Sequence, residues 1–221
     1  GAKISHTFET HLQADYISGS AKISDATGAI FAAHPGDFSG SVYDYHPLSD
    51  GEVFNFNDGS GPVVQVVHSP GHTPGSTTYV IDEKFMLSGD TVFIVSVGRP
   101  DLGNQVVAWA KTLYATLQER IMVMPDDLLV LPGHFTNWSK EADENNRIIN
   151  NFGDVKRINE EIYGIEEEDD FVAYIEAHMR VQPEIYNQIR KVNAGILTPC
   201  ETEQGVMDLG KNECAASANN A

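Results

Sequence analysis

Four of the strands predicted in the first 134 residues end in a short loop that carries a potential metal ligand, and this pattern constrains the fold most. In chain order the loops contain Thr10-His11, "HSPGHTPG" at residues 68–75, "SGDT" at residues 88–91 and "LPGH" at residues 131–134. Strand ends on one edge of a sheet converge in space. The sequence therefore predicts an α/β sandwich in which these polar side chains form one site.

The candidate metal ligands in these loops are His11, the pair His68 and His72, Asp90, and His134. His72 follows Gly71 at a tight bend, whereas His68 ends the preceding strand, so we expect His68 to contact the metal's ligands rather than the metal. Two imidazoles and one carboxylate form the facial triad of non-haem Fe(II) enzymes, which leaves three positions open. The same groups with a water molecule would hold catalytic zinc, and the residue types do not separate the two metals.

The rest of the pattern indicates that helices dominate after residue 135. Strands are predicted at 3–9, 29–33 and 127–131, and helices at 14–27, 105–121, 139–151, 154–163, 169–178 and 183–194, with a frayed end at "AASANNA". No linker interrupts this order. We therefore expect a single domain over residues 1–221, with a metal-binding strand and loop region at 1–135 and a mainly helical part at 136–221.

The charge balance and the apolar pattern exclude several classes of partner. Fourteen basic and 32 acidic residues give a net charge of −18, which repels nucleic acid and anionic membranes. No apolar run approaches the roughly 20 residues that a membrane helix needs. Because Cys200 and Cys214 imply no disulfide framework and the N-terminus does not resemble a signal peptide, we expect a cytoplasmic protein.

The ordered motifs Thr10-His11-x-x-x-Asp15, "HSPGHTPGS", "LSGDTVF" and "LPGH" resemble those of metallo-β-lactamase-fold enzymes. Within that superfamily the chain looks most like the persulfide dioxygenase branch, which is related to glyoxalase II. "VGRPDL" is similar to the Gly-Arg-x-Asp element of the branch, and "VNAGILTP" with "LGKNECAA" resembles the ending of its bacterial members. The resemblance implies a metallo-β-lactamase αββα sandwich with a helical C-terminal region.

The N-terminal side of this sandwich is expected to be abbreviated. Family members carry strands before the first metal motif, and here only about ten residues precede His11. The chain is then either a fragment of a longer product or a sheet that another chain completes. A missing neighbour strand exposes unpaired backbone groups and favours association, so we expect a homodimer or poor solubility.

The resemblance also implies a site with one metal rather than two. Two-metal hydrolases of the superfamily carry T-H-x-H-x-D-H, but this chain has Gln13 and Tyr16 in place of two histidines. A neutral amide is a poor substitute for an imidazole, and tyrosine must ionise from a reference pKa near 10. Persulfide dioxygenases use one iron held by the residues that match His11, His72 and Asp90, and all three are present.

The residues around that metal are assigned by the same resemblance. Gln13 and Asp15 are expected to contact or orient the ligands, and Tyr16, His134 and Arg99 are expected to act at the reaction centre. The Arg99 guanidinium would pair with a substrate carboxylate or steady the loop that carries Asp90. A salt bridge between Arg99 and Asp101 is the alternative.

The activity that the resemblance implies is an Fe(II) dioxygenase that uses dioxygen to oxidise a low-molecular-weight thiol persulfide, such as glutathione persulfide, to sulfite and thiol. A rhodanese-type partner is expected because the branch includes fusions to rhodanese domains. One alternative is a glyoxalase II-like zinc thioester hydrolase. The other is a degenerate domain without a catalytic metal that serves as a sensor or partner.

Overall fold

The computed structural model describes residues 1–100, 105–179 and 182–208. Asp101, Cys214 and the "AASANNA" end therefore lie outside the described residues. Within them the chain forms a three-stranded sheet, a six-stranded sheet, a two-stranded hairpin and flanking helices, so the prediction of a mixed α/β architecture is confirmed. No helix of the described ranges is long and apolar enough to cross a membrane.

The three-stranded sheet is parallel, and the loop that carries His11 follows its first strand. Its strands, in order across the sheet, are β1 (His6–Phe8), β2 (Ile30–Ala33) and β3 (His46–Pro47). Helix α1 (Ser20–Thr27) joins β1 to β2 and ends at Gly28, which has the left-handed φ of 71° expected of a helix-closing glycine. The short α2 (Pro35–Phe38) lies between β2 and β3.

The predicted start of α1 at residue 14 is wrong, because the helix begins at Ser20. The preceding segment is held in a loop by hydrogen bonds from a distant helix. The Asn193 amide donates to the carbonyl oxygens of Gln13 and Tyr16, at 3.0 and 2.8 Å, and its oxygen accepts from the Ser18 amide at 2.8 Å. These bonds satisfy backbone groups that a helix would otherwise pair.

The loops that carry His72, Asp90 and His134 belong to the six-stranded sheet. Across the sheet its strands are β11 (Asn150–Asn151), β10 (Leu129–Pro132), β7 (Phe85–Gly89), β6 (Thr77–Ile81), β5 (Val63–His68) and β4 (Val53–Asn55). β10 runs parallel to β7, and the other pairs are antiparallel. The hairpin β8 (Val92–Phe93) and β9 (Ser96–Val97) follows the loop that carries Asp90.

Helices cover the outer face of the six-stranded sheet. The helices of the second half are α3 (Val106–Thr116), which continues as a wider turn over Leu117–Ile121, then α4 (Trp138–Glu141), α5 (Phe152–Ile158), α6 (Glu160–Tyr163), α7 (Glu168–Ala177), α8 (Ile185–Asn193) and α9 (Glu201–Asp208). The helical periodicity predicted for 105–121 is confirmed. The helix predicted at 139–151 is wrong, since the Asp143 carboxylate accepts from the amides of Asn145 and Arg147 and closes a turn.

Alternating side chains divide the interior into the layers of a sandwich. Ala32 packs between the sheets with Val66 and Tyr79, whereas its neighbours Phe31 and Ala33 face the opposite side and pack with the helical segments. On the six-stranded sheet Met86 and Val130 face α3 and the later helices. Successive strand residues point to opposite faces, so both sheets bury two faces, and the order of layers is helix, sheet, sheet, helix.

We predict that Leu113→Ala lowers the free energy of unfolding by about 2–5 kcal/mol, because removing a buried leucine leaves a cavity. Leu113 is fully buried on α3, against the outer face of the six-stranded sheet. Val107→Ala, an exposed position on the same helix, should change the unfolding free energy by no more than about 0.5 kcal/mol. Denaturant unfolding measures both. Equal losses would contradict the packing described for α3.

Candidate metal centre

Loops from both sheets bring the three predicted ligands together, namely His11, His72 and Asp90. His11 follows β1, His72 lies between β5 and β6, and Asp90 directly follows β7. Nε2 of His11 and of His72 lie 3.9 and 3.6 Å from the same oxygen, Oδ2 of Asp90. All three side chains are buried, and each offers a ligand atom within 4.8 Å of the others. Across the described ranges, no other cluster of histidine, cysteine or acidic groups meets this criterion.

The hydrogen bonds around the two imidazoles fit a bound metal. Nδ1 of His72 donates to the Arg99 carbonyl at 2.8 Å, which leaves the Nε2 lone pair directed at the triad. Nδ1 of His11 contacts the Thr10 hydroxyl at 3.0 Å. Donor atoms around a metal with bonds of about 2.1 Å lie about 3.0–3.4 Å apart. The separations of 3.6 and 3.9 Å from Asp90 exceed the lower end of this range by no more than about 0.9 Å, and all three ligand atoms lie within 4.8 Å of one another, so the residues fit a metal ion after a modest contraction.

His134 extends the site on the far side of Asp90. Its Nδ1 lies 2.9 Å from Oδ1 of Asp90, and its Nε2 lies 2.8 Å from Oδ2 of Asp15. Both ring nitrogens are thus engaged with carboxylates of the protein. Burial alone would raise the pKa of Asp90, but His11, His134 and His72 outweigh this effect and hold the pKa well below its usual range. Asp90 is therefore ionised at neutral pH.

Two glycines make room for Asp90. A Cβ on Gly133 of "LPGH" would lie 2.4 Å from Oδ1 of Asp90, and a Cβ on Gly98 would lie 1.5 Å from its carbonyl oxygen. Neither position can carry a larger residue without moving the aspartate. The glycine of the "LPGH" motif thus has a packing role, since it lets His134 approach the carboxylate.

Gln13 and Tyr16 occupy the loop after His11. The Gln13 amide oxygen is buried and has no hydrogen-bond partner among the described residues. The Tyr16 ring lies 6.1 Å from the His134 ring between centroids. Although 41% of Tyr16 is exposed, desolvation raises the pKa of its phenol, and Asp90, Glu9 and Asp15 act in the same direction. In the absence of a metal ion, the Tyr16 hydroxyl therefore stays protonated at neutral pH and can donate a hydrogen bond.

His68 and Arg99 each contact the site through a backbone carbonyl group. Nε2 of His68 lies 2.9 Å from the Pro74 carbonyl, in the loop of His72, and the His68 ring stacks on His34 at 3.9 Å between centroids. Arg99 contributes its carbonyl to His72. The alternative contact with Asp101 lies outside the described residues. The structure thus brings together the predicted ligands with His134 and Asp15, and the roles assigned to all these residues stay predictions.

Sequence reasoning missed the residues that fix the first metal loop from outside. Asn193 of α8 binds both Gln13 and Tyr16 through their carbonyl oxygens, and the Thr10 hydroxyl contacts the His11 ring. Thr10 was visible in the motif, since a hydroxyl beside a metal histidine is a candidate partner. Asn193 had no such signal, because nothing in the local sequence relates it to a loop about 180 residues earlier.

Comparisons with known proteins agree with this geometry. Residues 1–134 match the metallo-beta-lactamase superfamily. The chain is 31% identical over 158 residues to the human protein "Persulfide dioxygenase ETHE1, mitochondrial", covering 68% of this chain and 57% of that protein. The chain spans about half the length of the curated relatives it matches.

Two solved structures confirm the predicted fold class. The crystal structure of ETHE1 from Myxococcus xanthus superposes with a TM-score of 0.71 at 25% identity, covering 88% of this chain and 78% of the other. A metallo-beta-lactamase from Staphylococcus aureus gives a TM-score of 0.74 at 25% identity and covers 87% of this chain and 58% of the other. Together with the His-His-Asp cluster, this fold implies a metal cofactor.

We predict that Gly133→Ala weakens metal binding about 10–100-fold, the range typical of lost partners around metal ligands, because the added methyl displaces Oδ1 of Asp90. Competition between the protein and a chelator for Zn²⁺ measures the affinity. Gly40→Ala is the control, since a Cβ there meets no atom within 4 Å. Equal affinities in the two variants would show that the Asp90 carboxylate moves without cost.

Proposed function

The chain belongs to the metallo-β-lactamase superfamily, and we propose that it is a mononuclear Fe(II) dioxygenase acting on a low-molecular-weight thiol persulfide, such as glutathione persulfide. The observation that carries this proposal is the complete triad of His11, His72 and Asp90, combined with a loop after His11 that lacks two histidines of the two-metal pattern. The resemblance to persulfide dioxygenases supports the choice of reaction.

The groups that a second metal ion would need are either missing or already engaged with each other, which supports a site for one metal. Position 13 is a glutamine and position 16 a tyrosine, so neither position supplies the imidazole of the two-metal pattern. His134 and Asp15 are within hydrogen-bond distance of each other. A second ion would have to break that contact and would gain no imidazole from positions 13 or 16. The thioester hydrolase alternative relies on stronger ligation than these residues provide.

Iron suits the triad because two imidazoles and a carboxylate leave three adjacent positions open. A bound Fe(II) would be held by His11, His72 and Asp90 and would supply open coordination positions for the persulfide and dioxygen, so that their encounter would become an oriented reaction. Persulfide, dioxygen and water balance to thiol and sulfurous acid: the outer sulfur is oxidised, dioxygen is reduced and water supplies the third oxygen.

The protein's own groups hold and orient the reactants. Ionised Asp90 balances the charge of the cation, and His134 fixes the Asp90 carboxylate through Oδ1 while Asp15 fixes His134. The Tyr16 ring lies 6.1 Å from the His134 ring between centroids, and its hydroxyl is proposed to donate a hydrogen bond to the substrate. Arg99 steadies the His72 ring through its carbonyl, and its guanidinium is proposed to pair with a carboxylate of the thiol carrier.

The expected partners follow from the fold and stay proposals. β1 lies at the edge of its sheet, and no further strand pairs with it among the residues described. The homodimer stays a proposal. The single-domain organisation, the rhodanese-type partner and the cytoplasmic location stay predictions.

We predict that protein purified without oxygen contains about one iron per chain and consumes oxygen when glutathione persulfide is added. His11→Ala, His72→Ala and Asp90→Ala should each lower iron content and oxygen uptake by more than about 100-fold, beyond the 10–100-fold typical of partners around the ligands. His178→Ala is the control, because His178 is exposed at the end of α7. Elemental analysis and an oxygen electrode measure both quantities.

Several results would contradict this assignment. Full iron content and activity in any triad variant would exclude that residue as a ligand. Zinc in place of iron, with cleavage of a glutathione thioester, would assign the chain to the hydrolase branch. Absence of both metal and turnover would assign it to the degenerate class.

We also predict that the double variant Gln13→His with Tyr16→His binds about two metal ions per chain, because it restores both imidazoles of the T-H-x-H-x-D-H pattern. Each single variant should stay near one ion per chain. Metal titration with Zn²⁺ followed by elemental analysis gives the stoichiometry. A double variant that still binds one ion would show that the missing imidazoles do not limit the site to one metal.

A further inference from the structure

We infer that Asp37 is a positioning residue that sets the distance between the His11 loop and the His72 loop. Asp37 lies on α2, outside both loops. Its Oδ2 accepts hydrogen bonds from the Leu12 amide at 2.9 Å and the Thr73 hydroxyl at 2.6 Å, and its Oδ1 accepts from the Gly75 amide at 2.8 Å. Leu12 and Thr73 each follow a predicted ligand directly. One carboxylate thus binds both loops next to the metal triad, and the inference rests on the proposed metal site.

The tie matters because the triad is drawn from two sheets. His11 follows a strand of the three-stranded sheet, whereas His72 and Asp90 belong to the six-stranded sheet. A main-chain bond from the Thr77 amide to the Thr10 carbonyl, at 2.7 Å, also joins the two sheets near the site. The Tyr79 hydroxyl donates to the Glu9 carbonyl, and Asp37 adds a further connection through its side chain, directly beside two of the predicted ligands. A shift of either sheet would change the separation of the two imidazoles unless this connection holds.

The segment around Asp37 is itself fixed in place. Phe38 is buried with Leu12 and Phe31, which anchors α2 on the outer face of the three-stranded sheet. The His34 side chain accepts from the Gly36 amide at the start of α2, and the His34 ring stacks on His68. The carboxylate therefore reaches the loops from a rigid support.

Glycines on both sides allow the close approach. A Cβ on Gly75 would lie 2.6 Å from Cγ of Asp37, and a Cβ on Gly36 would lie 2.8 Å from the Pro74 carbonyl oxygen. The "HPGD" segment at residues 34–37 and the "HTPG" segment at residues 72–75 thus pack against each other at two glycines. This contact connects the short helix α2 directly to the loop that carries His72.

The test compares metal binding by Asp37→Asn, Asp37→Ala and wild type, with Co²⁺ as the probe. An asparagine keeps the volume but replaces one acceptor oxygen with a donor, so it cannot accept from both the Leu12 and Gly75 amides and the Thr73 hydroxyl. We expect Co²⁺ affinity, from chelator competition, to fall about 10–100-fold. The visible absorption bands of bound Co²⁺ should shift, because they report the geometry of the ligands.

The control is Asp82→Asn, which alters a carboxylate that accepts from the Val63 amide at 2.8 Å away from the metal loops. It should leave Co²⁺ affinity and absorption unchanged. All measurements are made at a temperature at which circular dichroism shows each variant to be folded. Should Asp37→Ala fail to fold, Asp37→Asn decides the question.

A variant with a lower melting temperature but wild-type Co²⁺ affinity and absorption would overturn the inference, since Asp37 would then only stabilise the fold. Wild-type protein that binds no Co²⁺ would overturn both the inference and the proposed function. Normal Co²⁺ binding that depends on Asp37, in a protein that does not oxidise persulfides, would support the inference and refute the proposed function alone.

Discussion

A buried, ionised carboxylate is the constraint on which the rest of the site depends. Transfer of a carboxylate from water to a protein interior is costly unless opposite charge and hydrogen bonds compensate. Asp90 receives this compensation from the imidazoles of His11, His72 and His134. These side chains come from separate loops, so the carboxylate requires all of the loops to converge. A metal cation would meet the same requirement from the centre of the triad.

The layered architecture makes that convergence possible, and the helical half of the chain takes part in it. Each sheet buries two faces, which fixes the ends of β1, β5, β7 and β10 relative to one another. Asn193, on α8 of the mainly helical part, holds the main chain of the loop after His11. The later helices therefore support the loop that distinguishes this chain from two-metal relatives, in addition to covering the sheets.

The part of the site that the sequence predicts is the part that has a local pattern. His11, His72 and Asp90 each stand directly after a strand or in a glycine-proline loop, so their convergence follows from spacing and sheet geometry. Apart from the Thr73 hydroxyl, Asp37 and Asn193 bind backbone amides and carbonyls, and such contacts impose no residue type on the partner and leave no spacing to detect. The helix expected at 139–151 failed for a related reason, because the capping carboxylate of Asp143 competes with helical hydrogen bonds.

The two sides of the centre differ in how well they tolerate substitution. The side with Asp90 and its two glycines tolerates little, and the loop after His11 tolerates more. Any side chain at positions 98 or 133 would collide with the aspartate. Substitutions at these two positions are therefore not tolerated. At position 13 the amide oxygen forms no hydrogen bond within the described chain, so its exchange breaks none there, and Tyr16 is exposed. When such a centre acquires new chemistry, in nature or in directed evolution, we therefore expect the substitutions to occur in the loop after His11. The aspartate and its glycines should stay unchanged.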